Sequence, residues 1–293
     1  MKTYIVTGAT RGLGLEIARA LAQRPDAHVI LVVRDAAKGA AVARELGPQA
    51  EARALDVSSL SDIARFVANW KGEVAGLVNN AGIQQVAGTQ MTREGIEATL
   101  ATNHLGAFAL TQGLLPYLRD GRVIFIGSGT HNPDNKGATR FGFRGPQWLS
   151  IAGLARGETT AKDEAAAGRD RYATSKFFNT VTAFELARRH PETTFLTLDP
   201  GLMPGTGLAR TAPLPLRIIW SSLLHLVAWF ISDASTPAKS ASAAVWMLTE
   251  PNVRNGECYS FDCRPSQQVW HKAREAETGR RIIDETEAFL RER

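Results

Sequence analysis

Tyr172 and Lys176 lie four residues apart in YATSKFFNTVTAFELARR, and a helix there puts both side chains on one face. A free phenol has a pKa of about 10, too high to exchange protons readily at neutral pH. A nearby ammonium favours the phenolate, which suits the pair to general acid–base work. An isolated tyrosine and lysine are more often a helix face with a snorkelling lysine, so the pair needs company. It comes from Gly8-Ala9-Thr10-Arg11-Gly12-Leu13-Gly14, directly after the apolar run Tyr4 to Thr7. Gly8 permits a tight turn, Gly12 lets the backbone approach a pyrophosphate, and Gly14 allows close helix packing, which together describe a dinucleotide site.

Twenty residues past Gly14 comes Arg34-Asp35, where such sites face the adenosine ribose. Arg34, joined by Arg11, makes a bidentate clamp for a 2′-phosphate, so NADP(H) is the expected cofactor. The alternative is Asp35 on the ribose hydroxyls, with Arg34 merely facing solvent.

These residues need a scaffold, and the first half of the chain repeats a short β-branched run, a turn and an Ala/Leu-rich amphipathic segment. That rhythm is βαβ and requires a parallel sheet. Expected strands are Tyr4 to Thr7, His28 to Val33, Ala50 to Leu55, Val74 to Val78, Arg122 to Ile126, Thr194 to Leu198 and Glu257 to Phe261. Helices are expected at Leu13 to Gln23, Ala36 to Leu46, Leu60 to Trp70, Thr92 to Leu118, Tyr172 to Arg189, Thr236 to Leu248 and Arg280 to Leu290. The fold class is α/β, a doubly wound seven-stranded parallel sheet in a single Rossmann-like domain over 1–263, with 264–293 packed outside. Two stretches break the rhythm. Gly127 to Asp170 is longer than ordinary connections, giving an insertion at 129–170. Leu214 to Ile231, LPLRIIWSSLLHLVAWFI, is almost wholly apolar.

That apolar run carries Pro215, Arg217 and His225, each unfavourable in hydrocarbon. A lid at 202–232 over a lipophilic small molecule is favoured over a core-covering helix or a peripheral membrane contact. The chain has 44% hydrophobic and 22% charged residues over 293 positions, which excludes disorder and a disulfide scaffold. A net charge of +5, with acids interleaved among the bases, describes a solvated surface and no nucleic-acid partner. Cys258 and Cys263 provide neither a zinc ligand set nor a CxxC pair, and His104 and His131 lack metal-ligand company, so no metal is expected. His104 reads as a structural helix residue and His131 as a residue of the pocket entrance. The opening MKTYIVTG is too short an apolar run for a signal peptide, and a cytoplasmic protein is expected. Oligomeric state stays open, because Phe177, Phe178, Val181 and Phe184 serve equally for association or core.

The chain resembles the short-chain dehydrogenase/reductase family over nearly its whole length. TGATRGLG looks like that family's TGxxxGxG, and Asp56-Val57 like its adenine-contacting pair. Asn79-Asn80-Ala81-Gly82 looks like its NNAG, Asn103 like its helix asparagine, and Ser128 follows the fifth strand. Tyr172 and Lys176 form YxxxK, and Pro200-Gly201 follows the sixth strand. The resemblance implies that Tyr172 moves a proton, Lys176 also holds the nicotinamide ribose, Ser128 orients a carbonyl oxygen and Asn103 secures a water relay. It further implies cofactor contacts at Gly8, Arg11, Gly12, Leu13, Gly14, Arg34, Asp56, Val57, Asn80, Ala81, Gly82, Pro200 and Gly201.

The chain also departs from the family pattern. Members usually place the serine close before the tyrosine, whereas Ser128 and Tyr172 are 44 positions apart. After Pro200-Gly201 the hydroxyl expected to meet the carboxamide is displaced by one, with Gly205 in its place and Thr206 next. The insertion, the loop and the apolar run resemble the protochlorophyllide oxidoreductase-like and retinol dehydrogenase-like bacterial reductases. The photoactive members carry a cysteine after Pro-Gly, where this chain has Leu202, which argues against light-driven pigment reduction. The expected function is an NADPH-dependent carbonyl reductase or alcohol dehydrogenase for a bulky lipophilic substrate. A carbon–carbon double-bond reductase and a non-catalytic NADP-sensing interaction protein are the alternatives.

Overall fold

The computed structural model describes residues 1–85, 88–148, 150–203 and 234–293. Seven parallel strands form one sheet in the order β3-β2-β1-β4-β5-β6-β7. They are β1 (Lys2–Thr7), β2 (Ala27–Val33), β3 (Ala50–Ala54), β4 (Gly76–Asn79), β5 (Arg122–Ile126), β6 (Thr194–Asp199) and β7 (Glu257–Ser260). Side chains alternate between two cores: Ile5, Ile30 and Val32 enter one, while Tyr4, Val6, Val29, Leu31 and Val33 enter the other. Because helices cover both faces, the strands read as unbroken apolar runs. The strand order reverses between β1 and β4, which opens a crevice beyond their carboxyl ends.

The helices are α1 (Gly12–Ala22), α2 (Ala36–Leu46), α3 (Leu60–Ala68), α4 (Ala98–Leu100), α5 (Gly106–Leu114), α6 (Lys136–Arg140), α7 (Ile151–Ala155), α8 (Glu164–Arg189), α9 (Pro237–Thr249) and α10 (Ala276–Arg291). The expected helix from Thr92 to Leu118 starts later, because Gly95 adopts φ +70° in a turn. Glu97 then caps Thr99 N and Leu100 N. A π-helical turn, Ala101–Leu105, joins α4 to α5. At its end Gly106 passes so close to β3's exit that a Cβ would lie 1.8 Å from Val57 O.

Helix α8 begins eight residues before Tyr172, because Asp163 accepts a bond from Ala166 N and caps it there. The segment between Ser128 and α8 contains a 3-10 turn, Gly129–His131, followed by α6 and α7. Phe177, Phe178, Val181 and Phe184 are all buried within the chain. Trp148 and Trp270 pack on Phe177 at 5.7 and 5.4 Å between ring centroids. Helix α10 lies on α7 and α8. No helix among the described residues is long and apolar enough to cross a membrane. The expected apolar run at 214–231, most of the lid at 202–232, and Thr206 lie outside the described residues.

Candidate active site

Beyond β1 the chain turns at Gly8 (φ +69°) and again at Gly12 (φ +55°) before entering α1. A Cβ on Gly14 would lie 2.4 Å from Asn80 Nδ2 and 2.6 Å from Gly8 O, so only glycine fits there. At Gly12 a Cβ would meet nothing within 4 Å, which leaves open space above the loop. Arg11 occupies the N-cap of α1 without capping it through its side chain, and the first turn carries no acid. Uncapped N–H groups and the positive end of the helix dipole therefore face that space, a setting that fits a diphosphate.

The β1 and β4 loops are fastened to each other. Thr7 Oγ1 accepts from Asn80 N and Ala81 N, both at 2.9 Å, and donates to Val78 O at 3.3 Å. Asn80 Nδ2 returns a bond to Thr7 O at 2.8 Å. Thr7 is a residue the sequence reading missed. Its only signal is a hydroxyl closing an apolar strand just before the glycine turn.

At the end of β2, Asp35 is the N-cap of α2 and accepts from Lys38 N at 3.0 Å. Its second oxygen pairs with Lys38 Nζ at 3.2 Å. Arg34 beside it is exposed. Asp56 Oδ1 accepts from Ser58 N and Ser58 Oγ.

Ser128, Tyr172 and Lys176 come together beyond β5. The Ser128 side chain stands near enough to the Tyr172 phenol to favour its charged form, and Thr130 N and Oγ1 donate to Ser128 Oγ at 3.3 and 3.0 Å. Lys176 Nζ donates to Ile126 O at 2.9 Å and lies 5.6 Å from the Tyr172 ring centroid. Burial pushes the Tyr172 phenol up, the nearby Ser128 hydroxyl offsets part of this, and the Asp199 carboxylate pushes it further up. The Lys176 ammonium, which the spacing suggested would lower it, is not among the groups that shift it. Burial also brings Lys176 down to about 8. Asn179 shares Ile126 O at 3.3 Å.

Asn103, on the π-helical turn, is bound to the β4 loop from both ends of its amide. It accepts from Ile83 N at 2.8 Å, and Nδ2 donates to Ile83 O at 2.9 Å and to Ser175 Oγ at 3.0 Å. A Cβ on Gly82 would lie 3.4 Å from Asn103 Oδ1 and 3.7 Å from Lys176 Nζ, so this loop runs between the two. After β6, Gly201 (φ +70°) donates to Asp199 Oδ1 at 3.2 Å. Pro200 O accepts from Ser240 Oγ at 2.8 Å.

The expected site residues that are described thus collect along one edge of the sheet. Arg11, Gly12, Leu13 and Gly14 stand at the crevice with Asn80, Ala81 and Gly82, while Asp56, Val57 and Arg34 flank it on the β2–β3 side. His131 is not at an entrance: it is buried, and both its ring nitrogens are bonded. His104 is a buried residue of the π-helical turn. Among the described residues no group of acids, histidines or cysteines could hold a metal.

A family model for short chain dehydrogenases matches residues 2–140. The chloroplastic protochlorophyllide reductase of Pisum sativum is 30% identical over 98% of this chain and 77% of its own length. Protochlorophyllide reductase B of Oryza sativa subsp. japonica is 34% identical over the same shares. Among solved structures, an uncharacterized protein from Mycobacterium paratuberculosis superposes with a TM-score of 0.69 at 28% identity, covering 99% of this chain and 94% of that one. A 3-ketoacyl-(acyl-carrier-protein) reductase from Brucella melitensis, complexed with NADH, shares the fold with a TM-score of 0.63 at 21% identity, over 88% of this chain and 96% of that one.

Proposed function

The chain belongs to the short-chain dehydrogenase family of oxidoreductases, and on that premise we propose that it is an NADPH-dependent reductase of bulky lipophilic carbonyl compounds, with Tyr172 as proton donor. The observation that carries this reading is the convergence of Ser128, Tyr172 and Lys176 beside a helix N-terminus with no cap. Ser128, beside the phenol, orients the carbonyl oxygen to be protonated. Burial and Asp199 hold the phenol protonated, the state a donor needs. Lys176, able to leave Ile126 O because Asn179 also donates to that carbonyl, holds the nicotinamide ribose. Asn103 fixes the loop that lines this side of the site.

Gly8, Gly12, Leu13 and Gly14 would receive the diphosphate, Asp56 and Val57 the adenine, and Asn80, Ala81, Gly82, Pro200 and Gly201 the nicotinamide half. A preference for NADPH over NADH is supported by Asp35 being engaged as an N-cap and by Lys38, while the exposed Arg34 beside it would meet a 2′-phosphate. When bound, the cofactor supplies the hydride.

The test has two arms. Fluorescence titration should show NADPH binding in preference to NADH. Arg34→Ala should lose about ten- to a hundredfold in NADPH affinity, the worth of a hydrogen bond to a charged group, and little for NADH. Turnover of phenanthrenequinone, a flat apolar diketone, should fall in Tyr172→Phe with NADPH binding retained. Binding without any Tyr172-dependent turnover would favour the non-catalytic reading. A second reading, reduction of a carbon–carbon double bond, is supported by the relatives' being protochlorophyllide reductases. Benzylideneacetone separates the two, giving an allylic alcohol in the first case and a saturated ketone in the second.

A further inference from the structure

We propose that His131 is a positioning residue that ties the catalytic strand end at Ser128 to the C-terminal segment and thereby fixes the Ser128 hydroxyl. The proposal rests on the role given above to Ser128. The imidazole has two bonds of fixed sense. Ser128 O can only accept, so Nδ1 carries the hydrogen and donates to it. Trp270 N can only donate, so Nε2 is bare and accepts at 3.3 Å. One neutral tautomer satisfies both partners, and burial, which lowers this histidine to about 4, keeps it neutral at physiological pH.

The surroundings leave the ring no other position. His131 is 2% exposed, and its ring centroid lies 6.2 Å from that of Phe177 on α8. Trp270 in turn packs on Phe177 at 5.4 Å, so the histidine, the tryptophan and the helix bearing Tyr172 form one block. Ser128 sits at the other end of this connection. Its side chain caps the Gly129–His131 turn, so a movement of its carbonyl turns the same residue whose side chain neighbours the Tyr172 phenol. Asn135 Nδ2 holds the next carbonyl, Gly129 O, at 3.2 Å.

A second histidine repeats the wiring independently. His104 adjoins Asn103 and bonds through Nε2 to Thr286 Oγ1 on α10 at 2.9 Å. Thr286 Oγ1 gives its own hydrogen to Ile282 O, so His104 is the donor. Ser128 and the turn that carries Asn103 are therefore each anchored, through a buried neutral histidine, to residues beyond 264. By this reading the C-terminal segment is a part of the active-site framework and not only an outer cover.

The experiment compares His131→Ala, His131→Asn, His131→Gln and Ser128→Ala as full-length, NADPH-loaded enzymes turning over phenanthrenequinone, with melting temperature measured on each. The asparagine amide can replace Nδ1 toward Ser128 O, whereas the glutamine amide reaches toward Trp270 in place of Nε2. Misplacement of a reacting group by about an ångström costs about a hundredfold. We therefore expect kcat to fall about ten- to a hundredfold in His131→Ala and His131→Gln, with substantial recovery in His131→Asn and with NADPH affinity unchanged throughout. Folded His131→Ala turning over at the wild-type rate, or equal recovery by asparagine and glutamine, overturns the proposal. If Ser128→Ala is slow while His131→Ala is fast, only the positioning role fails. If both are fast, the role of Ser128 itself fails.

Discussion

Replacing Thr7 by valine exchanges a hydroxyl for a methyl group of nearly the same volume at a position 2% exposed. Area bookkeeping alone makes the change favourable, since apolar surface would replace polar in a buried strand. The hydrogen bonds say otherwise. Oγ1 is the acceptor for Ala81 N and one of two acceptors for Asn80 N, which also reaches Val78 O at 3.0 Å. Removing the hydroxyl leaves one partly buried donor without its partner and a second with only its poorer bond. At about 1–3 kcal/mol for an unsatisfied buried group, with the lower half of that range for partial burial, the net cost is about 2 kcal/mol. Thr7→Ser keeps the hydroxyl and loses one methyl, which costs about 1 kcal/mol. The expected order of stability is therefore wild type, serine, valine, with the most hydrophobic variant the least stable. Urea unfolding with a common slope would measure it, and the valine variant should melt about 4–8 °C below wild type. It should also bind NADPH more weakly, because the same two bonds hold the Asn80–Gly82 loop against the glycine turn. A valine variant as stable as wild type, or more stable than serine, would refute the argument that Thr7 is retained for its acceptor.

Gly14→Ala places a methyl against Asn80 Nδ2 and Gly8 O, so a destabilisation of about 1–3 kcal/mol and a loss of NADPH affinity are expected, measurable by urea unfolding and fluorescence titration. Lys176 is lowered by burial from 10.5 to about 8, so between these values the unfolded chain binds a proton that the folded chain has shed. Its contribution to stability therefore rises from pH 8 to 10.5 and is a penalty of order 3 kcal/mol below that window. The stability of wild type minus that of Lys176→Met should climb across the same window, and a flat difference would contradict the assignment. His104 is lowered by burial from 6.5 to about 3, so the stability it lends is complete above pH 6.5 and is lost as pH falls from there toward 3. His104→Gln should flatten the acid limb of a stability–pH curve between pH 6.5 and 4.

The sheet was legible because parallel strands buried on both faces leave a plain mark, a short β-branched run, and Arg122–Ile126 and Ala36–Leu46 fall where periodicity alone puts them. The ends of elements were less legible where side-chain caps decide them. Asp163 starts α8 eight residues ahead of Tyr172, and a capping aspartate inside a polar stretch has no periodicity to announce it. The π-helical turn at Ala101–Leu105 was invisible for a similar reason, since the Gly106 that ends it packs against Val57 O from a distant part of the chain. Within the site, glycines and the Tyr/Lys spacing showed in the sequence because they act through residue type at fixed offsets. Thr7 and Asn179 did not, because each acts through a partner tens of residues away, and the burial of His131 under Trp270 was hidden for the same reason.

Burial, a single cause, has opposite effects on the two titrating groups of the site: it raises the phenol of Tyr172 and lowers the ammonium of Lys176. Both nonetheless remain protonated at neutral pH, because the phenol moves away from neutrality and the lysine, at about 8, stops short of it. The site thus keeps one neutral acid and one cation side by side, without a direct bond between them, on carbonyls and hydroxyls that hold each in place. Asp199 has the complementary effect at the strand end: its charge disfavours the phenolate, while Gly201 N draws one of its oxygens into the following turn. An arrangement that disfavours the phenolate suits the proton-donor role proposed above for Tyr172.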